Sequence, residues 1–506
     1  MRAKQWSVVL LTLLLVNAMA ILFFRFFITV DGPTHVLHAT LLDAPWNTTV
    51  HAAKGITYNS NALQGWLGDR ILGVMLLFGT PETAHDLFAA LVSCAVVCSV
   101  TYFQKAHGRN IGLPILWLAP LTFSFILIMG LFHFLLGVAV SFGTVAWWKW
   151  HEGAPRKRWA GLLIGAVLAW FTHRGAPILL GVLFLVSIVL ESDSKRTATR
   201  NDERRTPFRW MAIFGLVLVV ITLALGRIAV GVTLPQVLPQ FNEDLLLRPL
   251  LLLDPGRELS LVRAIGSLLL VSICSGAWVR IRMGLRLFPH DVLLALVLFF
   301  QLIAWLGNTP HGRQLLVAER CQWLTLVIVV IWLGTMADRH RGLATKLIGI
   351  PVLLALPLHV VRMVQVENTF HQLQRPHQMA IEAAGALAAG ALVMPVTAGR
   401  NPMLQHLEAY VAVRHSGILL AGGEQIAINF ATGGGDERLH RMTVDPHWLA
   451  RHWRTGIPQD VDEILFIGDD IERVVDKHPW PGLLKDRYRP SFENGYARIY
   501  SAVQGQ

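Results

Sequence analysis

Charge is scarce in this chain. Only 15% of its 506 residues are Asp, Glu, Lys or Arg, where a soluble domain carries roughly a quarter. That shortage excludes a cytosolic globular enzyme. A chain that is 54% hydrophobic, with mean hydropathy +0.49, is not a disordered one either. Cysteine is scarcer still. Cys94, Cys98, Cys274 and Cys321 all fall inside apolar stretches, and residues 365–506 hold none, which excludes a disulfide framework there. Cys94 and Cys98 stand one helical turn apart and read as small packing residues of a membrane helix. No internal repeat is visible, so the inverted-repeat signature of many transporters is missing.

What is present is a series of long apolar runs. A bilayer core takes about 20 apolar residues per helix. On that measure the sequence predicts eleven membrane helices, near 6–28, 86–103, 111–129, 131–149, 159–172, 175–190, 210–228, 259–279, 291–306, 315–334 and 346–361. The stretch 66–79 is apolar but brief and reads as a surface or re-entrant helix. Residues 1–4 and Ala18-Met19-Ala20 imitate a secretory leader, but the apolar run continues to Val30, longer than a leader core. The expectation is an uncleaved first membrane helix.

The net charge of +11 is not spread evenly. Residues 1–364 hold 31 Lys+Arg against 17 Asp+Glu, and residues 365–506 hold 13 against 16. The positive charge sits in the links between apolar runs, where it orients helices and meets anionic lipid head groups. Nucleic acid is not implied. The basic clusters are Arg2/Lys4, Lys105/Arg109, Lys149 with Arg156–Arg158, six residues between Lys195 and Arg209, Arg280/Arg282/Arg286, and Arg339/Arg341/Lys346. With eleven helices, all of them share one side, read as the cytoplasm. The loop 29–85, the turn 172–177, the loops 229–258 and 307–314, and the C-terminal segment then lie outside.

That segment, 365–506, is richer in charge and is broken by Gly and Pro. Short apolar runs at Leu392–Val396, Gly417–Ala421, Ile464–Ile467 and Ala497–Ala502 predict strands, and 376–391 and 402–414 predict helices. Its histidines are scattered and read as surface residues. The expected fold is therefore mostly α. A polytopic transmembrane helical domain over 1–364 carries the long first outer loop 29–85, and a small extracytoplasmic α/β domain follows over 365–506.

The stretch after the first helix, Asp31-Gly32-Pro33-Thr34-His35-Val36-Leu37-His38, carries the most chemistry. In a helix starting here, Asp31, His35 and His38 share one face. Asp31 is open to two compatible roles, an N-cap and a general base. The same three residues have the types of a divalent-metal set, alongside the reading in which no cofactor is needed. Further ionisable groups stand at outer turns: His133, His173 and Arg174, His311 and Arg313, and Glu319-Arg320. Ionisable groups at membrane depth are costly and mark functional candidates, with pairing or snorkelling as the structural alternative.

An outer-facing base with several cations suits transfer from a lipid-linked phosphate donor. The Asp31-Gly32-Pro33-Thr34-His35 stretch and the Gly-Leu-Phe-His-Phe-Leu-Leu-Gly run at Gly130–Gly137 resemble the GT-C superfamily of multi-pass membrane glycosyltransferases. The resemblance in architecture covers nearly the whole chain. It implies a glycosyltransferase that uses a polyprenyl-phosphate-linked sugar on the outer face of a bacterial inner membrane, with a glycan, lipid or protein as acceptor. Asp31 is then the base, supported by His35 and His38. Arg174 and Arg313 meet the lipid phosphate, with His133, His173, His311 and Arg320 beside them. The chain departs from the family in one respect. Many members place two acids together in this loop, whereas here Asp43 and Asp69 stand far along the chain from Asp31. The alternatives are a non-catalytic scaffold of an envelope polysaccharide system and a transporter.

Overall fold

A computed structural model describes residues 14, 16–24, 27–43, 56–58, 65–107, 112–194, 255–282, 289–307, 316–339, 343–388, 391–398, 403, 406–415, 418–419, 428–430, 461–476 and 480–503. The chain divides into two compact units. One comprises Met1–Phe23 with Ala90–Val366, and the other comprises Phe24–Ala89 with Glu367–Gln506. The long first loop is thus grouped with the C-terminal segment, whereas the sequence reading groups it with the membrane helices. Two of the three divisions fall inside the helices Pro81–Ala106 and Leu343–Glu382.

Among its described residues, the first unit holds helices and no strand. Among the described residues, four helices are long and apolar enough to cross a membrane: Pro81–Ala106, Glu258–Arg282, Val317–Ala337 and Thr345–Ala386. Leu113–Ile128, Ala176–Leu190 and Val292–Leu306 are shorter apolar helices. The chain is a multi-pass integral membrane protein. Helix Pro155–Thr172 shows how two neighbours meet. Proline opens it, where a missing N–H costs nothing. Gly161, Gly165 and Ala169 recur at four-residue spacing on one side, and a Cβ on Gly161 or Gly165 would overlap Trp147 or Thr144 of helix Phe132–Trp150. Small residues let the two backbones close. On its other side Leu163, Ile164 and Trp170 are exposed, as lipid-facing residues are.

Four expected helices differ. The first stops at Phe23 rather than continuing to residue 28. The run 111–129 is broken into Leu113–Trp117, Leu118–Thr122 and Phe125–Ile128. Pro114 and Pro120 deny it two backbone donors, and a proline ring crowds the preceding turn. At the later break, before Phe125, side chains meet the open carbonyls: Trp323 Nε1 donates to Leu121 O at 2.7 Å and Arg362 Nη2 to Phe123 O at 3.2 Å. The stretches 346–361 and 376–391 are not separate helices, because Leu343–Glu382 is continuous. The expected helix 210–228 lies outside the described residues.

The second unit holds two helices of the first loop, Gly32–Asp43 and Trp66–Leu76, packed on each other. It also holds a five-stranded sheet. With β1 at Ile56–Tyr58, β2 at Leu392–Thr397, β3 at Ile418–Leu419, β4 at Ile428–Phe430, β5 at Glu463–Ile467, β6 at Tyr488–Glu493 and β7 at Ala497–Ala502, the sheet order is β3-β2-β5-β7-β6. β2 runs parallel to β3 and β5, and β7 runs antiparallel to β5 and β6. β1 and β4 form a separate antiparallel pair. Among the described residues β3 pairs with Leu392 and Val393 of β2, and Pro395, which has no N–H to donate, lies beyond that paired stretch. The core gathers Val396, Ile464, Phe466, Trp480, Leu484 and Tyr500, with Phe466 and Trp480 edge to face at 4.9 Å. Glu463 is buried inside β5 yet satisfied: its carboxylate accepts from the Ala388 N–H at 3.1 Å and from Ser501 Oγ at 2.9 Å. Strand β6 went unread in the sequence because Arg489 and Pro490 break its apolar pattern. It pairs at the edge of the sheet, where a proline is tolerated.

Candidate functional site

In the second unit, Asp31 stands immediately before helix Gly32–Asp43. Its carbonyl accepts from the His35 N–H at 3.1 Å, the first bond of the helix, so Asp31 occupies the cap position. Gly32 follows for a steric reason. A Cβ there would overlap Thr29 Oγ1 and His85 Nε2, and these two atoms are 2.8 Å apart and buried. His85 is held in turn by Asp86, with Nδ1 3.0 Å from its carboxylate. That contact assigns the proton to Nδ1 and leaves Nε2 to accept from the Thr29 hydroxyl. Phe27 stacks on the same imidazole at 6.2 Å. The Asp31-Gly32 turn therefore rests on a rigid buried platform.

The Asp31 carboxylate lies 3.9 Å from His406 Nε2, and His35 Nδ1 lies 3.8 Å from Asp69 Oδ1. The rings of His35 and His38 meet edge to face at 6.3 Å. Among the described residues, Asp31, His35 and His38 are not gathered as a three-residue metal set. Helix periodicity puts the three on one side, but two of them turn to groups from other segments. Within this unit His35 and Asp69 are the donors that would share a divalent ion, with ligand types that suit zinc or manganese.

Asp69 is the residue that the sequence reading set aside as distant from Asp31. It is 6% exposed and lies in the first turn of Trp66–Leu76, where a helix favours an acid. Gly65, with φ +88°, starts that helix by a left-handed turn open to glycine. Nothing local marks Asp69, because its proximity to His35 depends on two helices folding together. The histidines of the C-terminal segment are also not uniformly on the surface. His377 is buried, its ring 5.4 Å from Tyr410.

The remaining candidates lie in the first unit. His133 opens helix Phe132–Trp150 after a glycine turn with φ +77° at Gly130. His173 and Arg174 form the turn before helix Ala176–Ser194, with Arg174 exposed. The Gly175 N–H donates to His173 Nδ1 at 3.0 Å, and Arg320 Nη1 lies 3.0 Å from His173 Nε2. Burial first, then the charges of Arg320, His133 and Arg174, push the His173 imidazole down to about 3, so the ring is neutral at ordinary pH. A neutral ring has one lone pair in its plane, so the two N–H groups compete for it. Arg320 is the one able to turn to another acceptor. Its guanidinium also lies over the Phe134 ring at 5.7 Å. His311 and Arg313 lie outside the described residues.

Arg320 and His173 line one cleft of about 210 Å³ whose other walls include Phe134, Ile178, Phe299 and Phe300. Its chemistry is that of an apolar slot with a cation and a neutral imidazole in its lining.

No protein-family model matches the chain, and no curated protein matches it. Among solved structures the chain is similar to ArnT from Cupriavidus metallidurans in the apo state, at 13% identity and a TM-score of 0.44, over 99% of this chain and 98% of that one. It is likewise similar to ArnT from Cupriavidus metallidurans bound to undecaprenyl phosphate, at 13% identity and a TM-score of 0.38, over 99% of each chain.

Proposed function

We propose that this chain is a membrane glycosyltransferase that takes a sugar from a polyprenyl-phosphate carrier on the outer face of the membrane. The observation that carries the reading is the apolar cleft lined by Arg320 and His173. A lipid-linked phosphate presents an apolar chain and an anion, and the cleft offers a surface for each. His173, held neutral, leaves Arg320 its full charge and gives way when a phosphate oxygen replaces it as acceptor. Arg174 and Arg313 are further cations for that phosphate.

In the reaction, a hydroxyl of the acceptor attacks the anomeric carbon, and the bond from that carbon to the phosphate oxygen breaks toward the phosphate. Arginine stabilises the charge that develops on the departing phosphate. Asp31 takes the proton of the attacking hydroxyl, with His35 and His38 next along its helix. The scaffold alternative rested on the lack of a second acid near Asp31. Asp69, buried beside His35, supplies one to the same pair of helices and favours the enzyme.

Titration of the full-length protein in nanodiscs with undecaprenyl phosphate, followed by tryptophan fluorescence, tests the reading. Saturable binding is expected, weakened about ten- to hundredfold by Arg320→Ala, as loss of a charged hydrogen bond requires. Equal affinity for the neutral undecaprenol, or no saturation, overturns it.

A further inference from the structure

His406 is held in an unusual backbone. Among the described residues it and Leu316 are the non-glycine residues with positive φ, and His406 has φ +77°. Bulky side chains are rare there, and such strain persists only where the surroundings impose it. The surroundings are visible. Helix Leu407–His415 begins at the next residue, and the Ala409 N–H donates to the His406 carbonyl at 3.0 Å. Near its far end Arg414 is clamped to Glu82, with Nη2 2.8 Å and Nε 3.3 Å from the carboxylate oxygens.

The strained backbone sets the imidazole between two carboxylates. Nε2 is 3.9 Å from Asp31 Oδ1, and Nδ1 is 3.5 Å from Glu408 Oε1. Asp31 comes from the first loop and Glu408 from the helix that His406 precedes. The His406 side chain is 41% exposed and that of Asp31 is 28% exposed, so the chain Asp31–His406–Glu408 leads from a half-buried acid to water. An ion pair this exposed contributes too little to hold a histidine in left-handed backbone. Catalytic contacts are often this long in a free enzyme and tighten in the complex with substrate.

We propose that His406 is the positioning partner of Asp31 that receives the proton Asp31 removes from the acceptor. The inference rests on the reading of Asp31 as the base. For this transfer the His406 Nδ1–H faces Glu408 and the Nε2 lone pair faces Asp31. The acceptor O–H bond breaks as its oxygen attacks the sugar, and the proton joins Asp31. The Asp31 O–H bond then breaks, its electron pair staying on the carboxylate, and the proton joins the Nε2 lone pair. The imidazolium, flanked by two carboxylates, passes a proton to water. The net change moves one proton from acceptor to solvent and restores Asp31 and His406.

Two measurements on the full-length protein in nanodiscs test this. In the first, the titration of His406 is followed by histidine NMR in the wild type, in Asp31→Asn and in Glu408→Gln. Each substitution is expected to shift the midpoint down, because each removes a carboxylate that favours the imidazolium. An unchanged midpoint in Asp31→Asn overturns the proposal, with or without a turnover assay. In the second, release of undecaprenyl phosphate from undecaprenyl-phosphate hexose is followed in native membranes. His406→Asn accepts left-handed backbone readily, so its thermal stability is expected to match or exceed that of the wild type. Its turnover is expected to fall about tenfold or more, with the acid limb of the pH profile that belongs to the imidazole lost and undecaprenyl phosphate binding unchanged. An unchanged pH profile in His406→Asn overturns the proposal while leaving Asp31 as the base. Full turnover in Asp31→Asn defeats the base itself and is thereby told apart.

Discussion

Arg362, buried within helix Leu343–Glu382, donates from Nη2 to the carbonyl of Phe123 at 3.2 Å, at the break that interrupts Leu113–Ile128. Its Nε lies 3.9 Å from Glu258 Oε2, and both side chains are almost wholly buried. The guanidinium therefore serves a freed carbonyl and a buried carboxylate at once. Removing one partner of a buried pair leaves the other charge uncompensated, which costs about 3–5 kcal/mol. Arg362→Leu is expected to lower stability by that order, and Arg362→Leu with Glu258→Gln by clearly less. Thermal unfolding in detergent measures both. Equal losses would show that the pair is not coupled.

Asp31→Asn separates the two roles of Asp31. Asn caps a helix about as well as Asp, so folding and undecaprenyl phosphate binding are expected to be kept. It accepts no proton, so transfer is expected to fall by roughly 10²–10⁴. Turnover at the wild-type rate would assign Asp31 a capping role alone.

The Gly32 contact predicts a steric pair. Gly32→Ala drives a methyl group into Thr29 Oγ1 and His85 Nε2 and is expected to destabilise by about 1–3 kcal/mol. Adding Thr29→Ala removes one of the two obstructions and is expected to recover part of the loss. No recovery would mean that the close approach is not what selects glycine.

His173 gives a pH dependence whose sign follows from its environment. Its folded imidazole is pushed down to about 3 from the usual 6.5, by burial before charge. Between those values the unfolded chain binds a proton that the folded chain does not, so stability rises with pH across that window. As pH falls from 6.5 toward 3 the wild type is expected to lose thermal stability, and His173→Gln to lose less over the same range. Parallel curves would place His173 in water rather than beside Arg320.

Topology is tested by reporters. The basic links should share the cytoplasmic side with the N-terminus, and residues 365–506 should lie outside. A fusion after Gln506 that is active only in the cytoplasm would reverse this assignment.

Apolar runs at 86–103, 259–279 and 315–334 were legible as helices because a membrane span is written within one window of sequence. The strands at Leu392–Val396, Ile464–Ile467 and Ala497–Ala502 were legible for a similar reason, since short apolar runs between turn residues carry their own local pattern. The helix start at Asp31 was legible from Gly32-Pro33. The break at Phe123 and Ser124 was not. Its two prolines are visible, but an interrupted helix is kept in apolar surroundings only if Trp323 and Arg362 reach its carbonyls, and both come from distant segments.

The residues of the site divide in the same way. By itself the sequence determined that a carboxylate and two imidazoles follow the first helix, because these are neighbours in one short stretch. Only the tertiary structure decided their partners. Asp69 meets His35 because helix Trp66–Leu76 packs against Gly32–Asp43, and His406 meets Asp31 because helix Leu407–His415 packs there too. Hydropathy and periodicity report which face of a segment avoids water. They carry no record of which distant segment supplies the opposing charge, since that pairing exists only once the intervening chain has closed.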